Sequence, residues 1–339
     1  MSYQDPARDA VEALVPGTFL GAFVAAAKAV DLDPYRQLRQ LGLPTTDHDD
    51  EALVAPYSRF MELLARCAEA SGYPDFTLRV VKHVSLASLG AGSALALAQP
   101  TLRAGLLMLC TYGGNPARRQ RPTLEEHDGA ARIRLGFRRV PEPALARAPA
   151  FGLGVALRAI QGLIGDDWRP RRAEFSCPAP EDVAAYRELF GEVAFEQPFD
   201  ALIFDRAELD RPLATADPDL SRVLELVLGQ LGPPKPPPFA DEVRELIVGL
   251  LPRGLCSIDR VASHLGVDRR TVHRRLALAG VAFTDLVDEA RRAIVQAQFE
   301  DANRPIAAVA SALGFANQSS FTRWFRGAYG VTPKHYRKT

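Results

Sequence analysis

The chain has 339 residues, enough for two domains, and its 47% hydrophobic and 24% charged residues are typical of soluble globular proteins. No apolar run reaches the ~18 residues of a membrane span, and the polar start lacks a signal-peptide pattern, so we expect a cytoplasmic protein with no membrane partner. Residues 255–339 hold 13 Lys and Arg against 7 Asp and Glu, a net charge of +6 that the remaining residues cancel. The C-terminal part is therefore the better candidate for an anionic partner.

The first part of the chain is predicted to be mainly helical. Phe19, Phe23 and Ala26 share one side of a helix over 18–30, and Asp33-Pro34 opens a short helix. Further helices are predicted over 57–70, 153–164, 180–190 and 218–231.

A few strands interrupt these helices. Residues 132–138 alternate between apolar and polar side chains, and Asp128-Gly129 predicts a hairpin with 123–127, with further strands over 172–176 and 201–205. One face of the hairpin carries Arg132, Arg134 and Arg138. Such arginines are either solvated or paired with acids such as Glu125, or they line a pocket for an anionic ligand, since guanidinium groups pair well with carboxylates. The mixture predicts an α+β N-terminal domain.

Signals for a metal or nucleotide site are weak. Gly90-x-Gly92 follows no predicted strand and precedes no phosphate-loop lysine, so close helix packing explains these glycines better. The cysteines have no metal-ligand spacing, and we expect no cofactor, no metal and free thiols at Cys67, Cys110, Cys177 and Cys256.

A proline-rich run separates two predicted domains. Residues 232–238 read GPPKPPP, which cannot be helical and favours an extended, semi-rigid spacer. We therefore predict domains over 1–231 and 240–339, joined by a linker over 232–239.

The segment after the linker contains a repeated helix-turn-helix pattern. Residues 305–313 have the apolar spacing of one helix, Gly314 ends it, and Phe321 and Phe325 mark the inner side of a second helix. Residues 258–280 repeat this pattern about 48 residues upstream, with Val272 and Leu276 facing inward. The outward residues of the two second helices, able to contact bases or phosphates, are Arg269, Arg270, His273, Arg274, Gln318, Ser319, Thr322 and Arg323.

A linker helix is predicted between the repeats. Thr284 is a suitable N-cap for a helix ending at Asp301, with Arg291 and Arg292 exposed. Its length of roughly 27 Å would place two recognition helices about one turn of B-DNA apart. The C-terminal domain is therefore predicted to be all-α with two DNA-reading motifs.

The last hundred residues resemble the DNA-binding domain of the AraC/XylS transcription regulators. The motifs that carry the resemblance are Gly314-Phe315, Phe321-x-Arg323-x-Phe325 and the tail GVTPKHYR over 330–337. In that family the exposed sides of both recognition helices contact DNA, which implies the same role here for Arg270, His273 and Arg274 and for the four outward residues of the second repeat.

The N-terminal segment resembles the non-cupin subfamily of these regulators whose N-terminal domain is labelled arabinose-binding-like. The resemblance is carried by GDDWRPRRAEFSCPAPEDVAAYRELFG over 165–191 and FDALIFDRAELDRPLATADPDL over 199–220. It implies a non-enzymatic regulator that binds double-stranded promoter DNA, senses a small-molecule effector and forms a homodimer, with RNA polymerase as a further candidate partner. The alternative is that the N-terminal domain is an oligomerisation module or an enzyme fused to the DNA reader, with no effector.

Overall fold

The computed structural model describes residues 14–46, 53–113, 122–127, 129–135, 147–197, 199–231, 238–251, 254–299 and 305–337. The chain divides into two compact units, one holding most of residues 10–235 and the other holding residues 236–339. Each unit has its own hydrophobic core. No helix within the described ranges is both long and apolar enough to cross a membrane.

The N-terminal unit begins with two short strands, each followed at once by a helix. β1 (Leu14–Pro16) and β2 (Val54–Pro56) pair antiparallel, and helices α1 and α3 start at the next residue. Proline suits this junction because its fixed φ leads into a helical turn and it lacks an N–H that would need a partner. The helices of this unit are α1 (Gly17–Lys28), α2 (Pro34–Gln40), α3 (Tyr57–Ser71), α4 (Phe76–Lys82), α5 (Ala91–Leu97), α6 (Leu102–Tyr112), α7 (Arg147–Ile164), α8 (Ala184–Phe190) and α9 (Pro218–Leu231).

A five-stranded sheet lies in the same unit. Its strands are β3 (Thr123–His127), β4 (Ala130–Arg134), β5 (Arg172–Glu174), β6 (Val193–Ala194) and β7 (Ala201–Asp205). They lie in the order β3-β4-β7-β5-β6, with every pair antiparallel except the parallel pair β5-β6. The predicted α+β class is confirmed, with a small, mainly antiparallel sheet among helices.

Aromatic side chains fill the centre of this unit. Phe151 on α7 makes edge contacts with Phe19 on α1 and Phe60 on α3, with ring centroids 5.2 and 5.1 Å apart. All three rings are almost fully buried, so each contributes a large apolar area to folding. The predicted inner side of α1 is thus confirmed.

The cysteines are free, as predicted. Burial raises the pKa of the Cys67 and Cys110 thiols to about 12 and that of Cys256 to about 11. Thiols of this kind are unreactive at neutral pH. Among the described residues, no group of three His, Cys, Asp or Glu side chains is arranged to hold a metal ion.

The C-terminal unit is all helical, as predicted. Its helices are α10 (Phe239–Leu250), α11 (Ile258–His264), α12 (Arg269–Leu278), α13 (Phe283–Phe299), α14 (Ile306–Ala312), α15 (Gln318–Tyr329) and α16 (Pro333–Tyr336). Helix α10 packs against α11, α12 and α13. Residues 232–237 of the predicted linker lie outside the described residues, and α10 begins at Phe239, one residue inside the predicted linker.

Two predicted helix starts are wrong for reasons that the hydrogen bonds show. Helix α8 starts at Ala184 instead of Pro180, because the Asp182 carboxylate accepts a hydrogen bond from the Ala184 N–H. Helix α13 starts at Phe283, so Thr284 lies inside it and is not the N-cap. The Asp285 carboxylate accepts the hydrogen bond from the Ala282 N–H at this end.

Candidate nucleic-acid interface

The two helix-turn-helix motifs turn in the same way. In the first, Gly266 has a φ of +63°, and the N–H groups of Gly266 and Val267 donate to the carbonyls of Ser263 and Ala262. In the second, Gly314 has a φ of +71° and the same two bonds recur 48 residues later, from Gly314 to Ser311 and from Phe315 to Ala310. This is a common way to end a helix at a left-handed glycine. The internal repeat predicted from sequence is therefore a structural repeat.

Both recognition helices also start in the same way. The Asp268 carboxylate accepts a hydrogen bond from the Thr271 N–H at 2.7 Å, and the Asn317 side-chain oxygen accepts one from the Ser320 N–H at 2.9 Å. Each bond satisfies a backbone donor that the first turn of a helix leaves without a partner. The two helices therefore have well-defined first residues, Arg269 in α12 and Gln318 in α15.

With these starts fixed, the eight predicted contact residues take equivalent places in the two helices. They are the first, second, fifth and sixth residues of each helix, and the fourth and eighth residues are the buried ones. Val272 and Leu276 of α12, like Phe321 and Phe325 of α15, are at most 1% exposed. Of the eight predicted contact residues, seven are exposed and Thr322 is half-buried. The predicted inward and outward sides are thus both present.

The polar sides of the two helices differ in chemistry. Helix α12 presents three arginines and a histidine, whereas α15 presents one arginine among neutral polar residues. Within the described residues, Arg269 lies 4.0 Å from Asp259, and no acidic side chain pairs with Arg270, Arg274 or Arg323. These guanidinium groups are therefore available to phosphates and to guanine edges.

Thr322 differs from the other predicted contact residues in making a side-chain hydrogen bond within its own helix. Its hydroxyl donates a hydrogen bond of 2.9 Å to the Gln318 carbonyl, one turn earlier in α15. This internal bond occupies the hydroxyl proton, which leaves the oxygen lone pairs and the methyl group for a partner. Thr322 is therefore suited to accept a hydrogen bond or to make an apolar contact.

Arg275 is an exposed arginine of α12 that does not belong to this polar side. Its guanidinium lies 5.1 Å from the centre of the Phe239 ring in α10. It therefore points toward α10, whereas the adjacent Arg274 lies on the side with the predicted contact residues. Arg274 and Arg275 are therefore adjacent residues of equal charge in different surroundings.

The linker helix α13 contains a site that the sequence interpretation missed. Arg291 was predicted to be exposed, but only 20% of its side chain is accessible. Its guanidinium lies 4.1 Å from the centre of the Phe315 ring and 3.6 Å from Asp288. Asp288 in turn accepts a hydrogen bond of 2.9 Å from Trp324 Nε1. The i, i+3 spacing of Asp288 and Arg291 was the available signal, but it does not reveal the aromatic partners.

The arginine row of the N-terminal unit is paired with an acid. Arg134, whose side chain is only 13% exposed, donates to Glu125 at 2.5 Å, and Arg132 lies 3.8 Å from the same carboxylate. Arg132 also lies over the Phe199 ring at 4.6 Å. Of the alternatives predicted for the row, pairing with Glu125 is the one observed for these two residues, while Arg138 lies outside the described residues. A role in binding an anion stays a prediction.

Comparison with known proteins agrees with this architecture. Residues 32–213 match the family described as the arabinose-binding domain of AraC transcription regulator, N-terminal, and residues 261–339 match a helix-turn-helix domain family. The HTH-type transcriptional regulator VirS of Mycobacterium tuberculosis is 28% identical over 329 residues, 96% of each chain.

Two further similar proteins come from Pseudomonas aeruginosa. Its ornithine utilization regulator is 29% identical over 217 residues, which cover 62% of this chain and 63% of that protein. The crystal structure of its transcriptional regulator CdpR aligns over the whole of both chains with 19% identity and a TM-score of 0.48. The N-terminal family match alone spans more than half of the sequence. The chain therefore belongs to the AraC/XylS family of DNA-binding transcription regulators.

Proposed function

We propose that α12 and α15 enter two major-groove segments of promoter DNA, and that a small-molecule effector bound by the N-terminal unit controls this binding. The observation that carries the proposal is the equivalence of the two recognition helices. Each is capped by a side chain, buries its fourth and eighth residues, and presents its first, second, fifth and sixth to the outside. Recognition helices read bases through residues near their N-terminal ends.

Two types of side chain among the predicted contact residues, arginine and glutamine, can bind bases with two hydrogen bonds. Arg270, Arg274 and Arg323 can each donate two hydrogen bonds to a guanine or bind a phosphate, and Gln318 can pair with an adenine. The exposed arginines that contact phosphates would set the register of the protein on the duplex, and those that contact bases would discriminate sequence. A base contact of this kind contributes about 1–3 kcal/mol of discrimination.

Control by an effector is supported by the family of the N-terminal unit and by one relative. The matched family is described as an arabinose-binding domain, and the similar ornithine utilization regulator is named for the use of a metabolite. Neither name identifies the effector of this chain. A ligand can change DNA binding only if it binds two states of the protein with different affinity. We expect a homodimer on promoter DNA in the cytoplasm, with RNA polymerase as a further partner.

The test compares arginines that differ in position but not in charge. Arg274→Ala and Arg323→Ala should each weaken binding to a selected promoter duplex about tenfold or more relative to a scrambled duplex. Arg275→Ala removes the same charge next to Arg274, but from a side chain that lies against Phe239. It should lower the affinity for both duplexes by a similar, smaller factor.

Fluorescence anisotropy at physiological salt gives both affinities for each variant. An unchanged ratio of specific to scrambled affinity in Arg274→Ala and Arg323→Ala would remove their role in base recognition. Equal ratios in Arg274→Ala and Arg275→Ala would show that only the charge of α12 matters.

A further inference from the structure

One residue of the linker helix, Arg291, contacts all three parts of the second helix-turn-helix. Its Nε–H donates to the carbonyl of Leu313 at the end of α14, at 3.4 Å. Its guanidinium stacks on Phe315 in the turn, at 4.1 Å, and approaches the Trp324 ring of α15 at 5.8 Å. A planar guanidinium can stack and donate hydrogen bonds at the same time, which an ammonium group cannot do.

Asp288 completes this arrangement from one turn earlier in α13. It lies 3.6 Å from Arg291 and accepts the Trp324 Nε1 hydrogen bond. Burial lowers the pKa of the Arg291 guanidinium, and the nearby Asp288 carboxylate opposes this effect. A partly buried charge needs such a partner, since desolvation without one is costly. We call these three residues, Asp288, Arg291 and Trp324, the linker cluster. The linker cluster holds α15 against α13 in a specific orientation.

The same helix is tied to the first helix-turn-helix through α10. Helix α10 packs against α13, and Arg244 of α10 lies 3.3 Å from Glu289 of α13. Helix α10 also contacts both α11 and α12. The orientation of α15 relative to α12 thus depends on the contacts on both sides of α13, and the linker cluster supplies the specific polar contacts on the α15 side.

We propose that Asp288, Arg291 and Trp324 are positioning residues, which fix the second recognition helix so that both helices meet DNA at one defined spacing. This inference rests on the proposed function, because it requires α12 and α15 to bind the same duplex. A fixed spacing makes the second contact effectively intramolecular, so binding to both segments is stronger than binding to either alone. Without the cluster, α15 must be ordered when the protein binds DNA, and the free-energy cost of this ordering removes part of that advantage.

The experiment separates positioning from direct contact and from general stability. A duplex selected by the full-length parent is compared with two versions in which one of its two contacted segments is scrambled, and with a version carrying one extra base pair between the segments. The affinities are measured for the parent, Arg291→Ala, Arg291→Lys and Trp324→Phe. Arg292→Ala is the matched control, because it removes the same charge from the adjacent, exposed position of α13. The Arg292 guanidinium lies 6.0 Å from the centre of the Tyr329 ring of α15, a longer contact than the 4.1 Å between Arg291 and Phe315.

For Arg291→Ala, we expect the affinity for the intact duplex to fall about tenfold, while binding to the duplex that keeps only the α12 segment is unchanged. The penalty of the extra base pair should also shrink, because α15 is no longer held at one spacing. Trp324→Phe, which keeps a ring but loses the N–H donor to Asp288, should show the same pattern more weakly. Arg291→Lys should recover only part of the loss, and Arg292→Ala should keep the parent's dependence on spacing.

Several results would overturn the inference. One is that Arg291→Ala weakens the intact and single-segment duplexes by the same factor, which indicates lost stability or a lost phosphate contact. Another is that Arg292→Ala reproduces the loss of spacing dependence. If the parent itself selects no duplex with two separable segments, the proposed reading by both helices fails, and that result is distinct from a failure of the cluster.

Discussion

Replacing Gly314 with alanine should destabilise the C-terminal unit much more than the same replacement at Gly266. Both glycines end the first helix of a helix-turn-helix with a positive φ, +71° and +63°. An alanine in this region costs about 1–2 kcal/mol because its Cβ approaches the following carbonyl. This cost is common to both positions. The difference between the two losses of unfolding free energy therefore measures the effect of the surrounding atoms.

The surroundings of the two glycines are very different. A Cβ at Gly314 would lie 2.7 Å from the carbonyl oxygen of Leu251 and 3.3 Å from its Cδ1, whereas a Cβ at Gly266 meets no atom within 4 Å. The Leu251 carbonyl belongs to the backbone and accepts a hydrogen bond from the Gly254 N–H, so it cannot move freely. Overpacking of this kind costs a further 1–3 kcal/mol, roughly. We therefore expect the free energy of unfolding of the C-terminal unit to fall by about 1–2 kcal/mol for Gly266→Ala and by about 2–5 kcal/mol for Gly314→Ala.

Urea unfolding of the full-length chain can measure both losses. The chain has two tryptophans, Trp168 in the N-terminal unit and Trp324 in the C-terminal unit. In a Trp168→Phe background, tryptophan emission therefore reports the unfolding of the C-terminal unit alone. Losses that agree within about 0.5 kcal/mol, within the usual scatter of surface substitutions, would refute the argument from the Leu251 carbonyl.

Three further predictions concern binding. DNA affinity should fall steeply between low and moderate salt. The logarithm of the binding constant should decrease with the logarithm of the salt concentration, with a slope of roughly 0.9 for each phosphate contacted. A flat response would contradict the assignment of the basic side of α12. A metabolite that binds the N-terminal unit should raise its melting temperature at constant protein concentration. If melting instead depends only on protein concentration, the unit is an oligomerisation module. If the arginine row binds an anionic effector, crystals grown with that anion should show it between Arg132 and Arg134 in place of Glu125. An Arg134 side chain that keeps its Glu125 partner in such crystals would reject that role.

The sequence predicted well those elements that depend on local signals. Asp33 caps α2, Pro218 opens α9, and α7 ends at Ile164 before a glycine, all as the residues indicate. The recognition helices were predictable for the same reason, because Val272, Leu276, Phe321 and Phe325 repeat at the spacing of one helix face. Periodicity and caps act over a few residues, so a single sequence contains them.

Some elements that depend on distant partners were not predicted, although the strands β5 and β7 were. The strands β1 and β2 have three residues each, too few to show alternation, and the 37 residues of 17–53 lie between them. Their formation is fixed by the pairing of Leu14 with Pro56 and by the hydrogen bond from the Gly17 N–H to the Leu53 carbonyl at 2.7 Å. Helix α4 was missed as well, since its seven residues are mostly buried and show no apolar stripe.

The failure at Arg291 has a more specific cause, and it leads to a prediction about α13. A helix that packs on one side has one buried stripe, and Leu286, Ala290 and Ile294 form such a stripe. Helix α13, however, packs against α10 and also meets the second helix-turn-helix, so a second side is covered.

A long charged side chain can lie on that second side because its stem is apolar and Asp288 supplies a counter-charge one turn away. Adjacent arginines with the same sequence signal therefore have different environments. Replacing Arg291 should cost the C-terminal unit more stability than replacing Arg292, by about 1 kcal/mol or more, since the loss includes an aromatic stack and leaves Asp288 without its cation. Urea unfolding followed by Trp324 emission measures both, and equal losses would show that Arg291 is no more deeply engaged than an ordinary surface arginine.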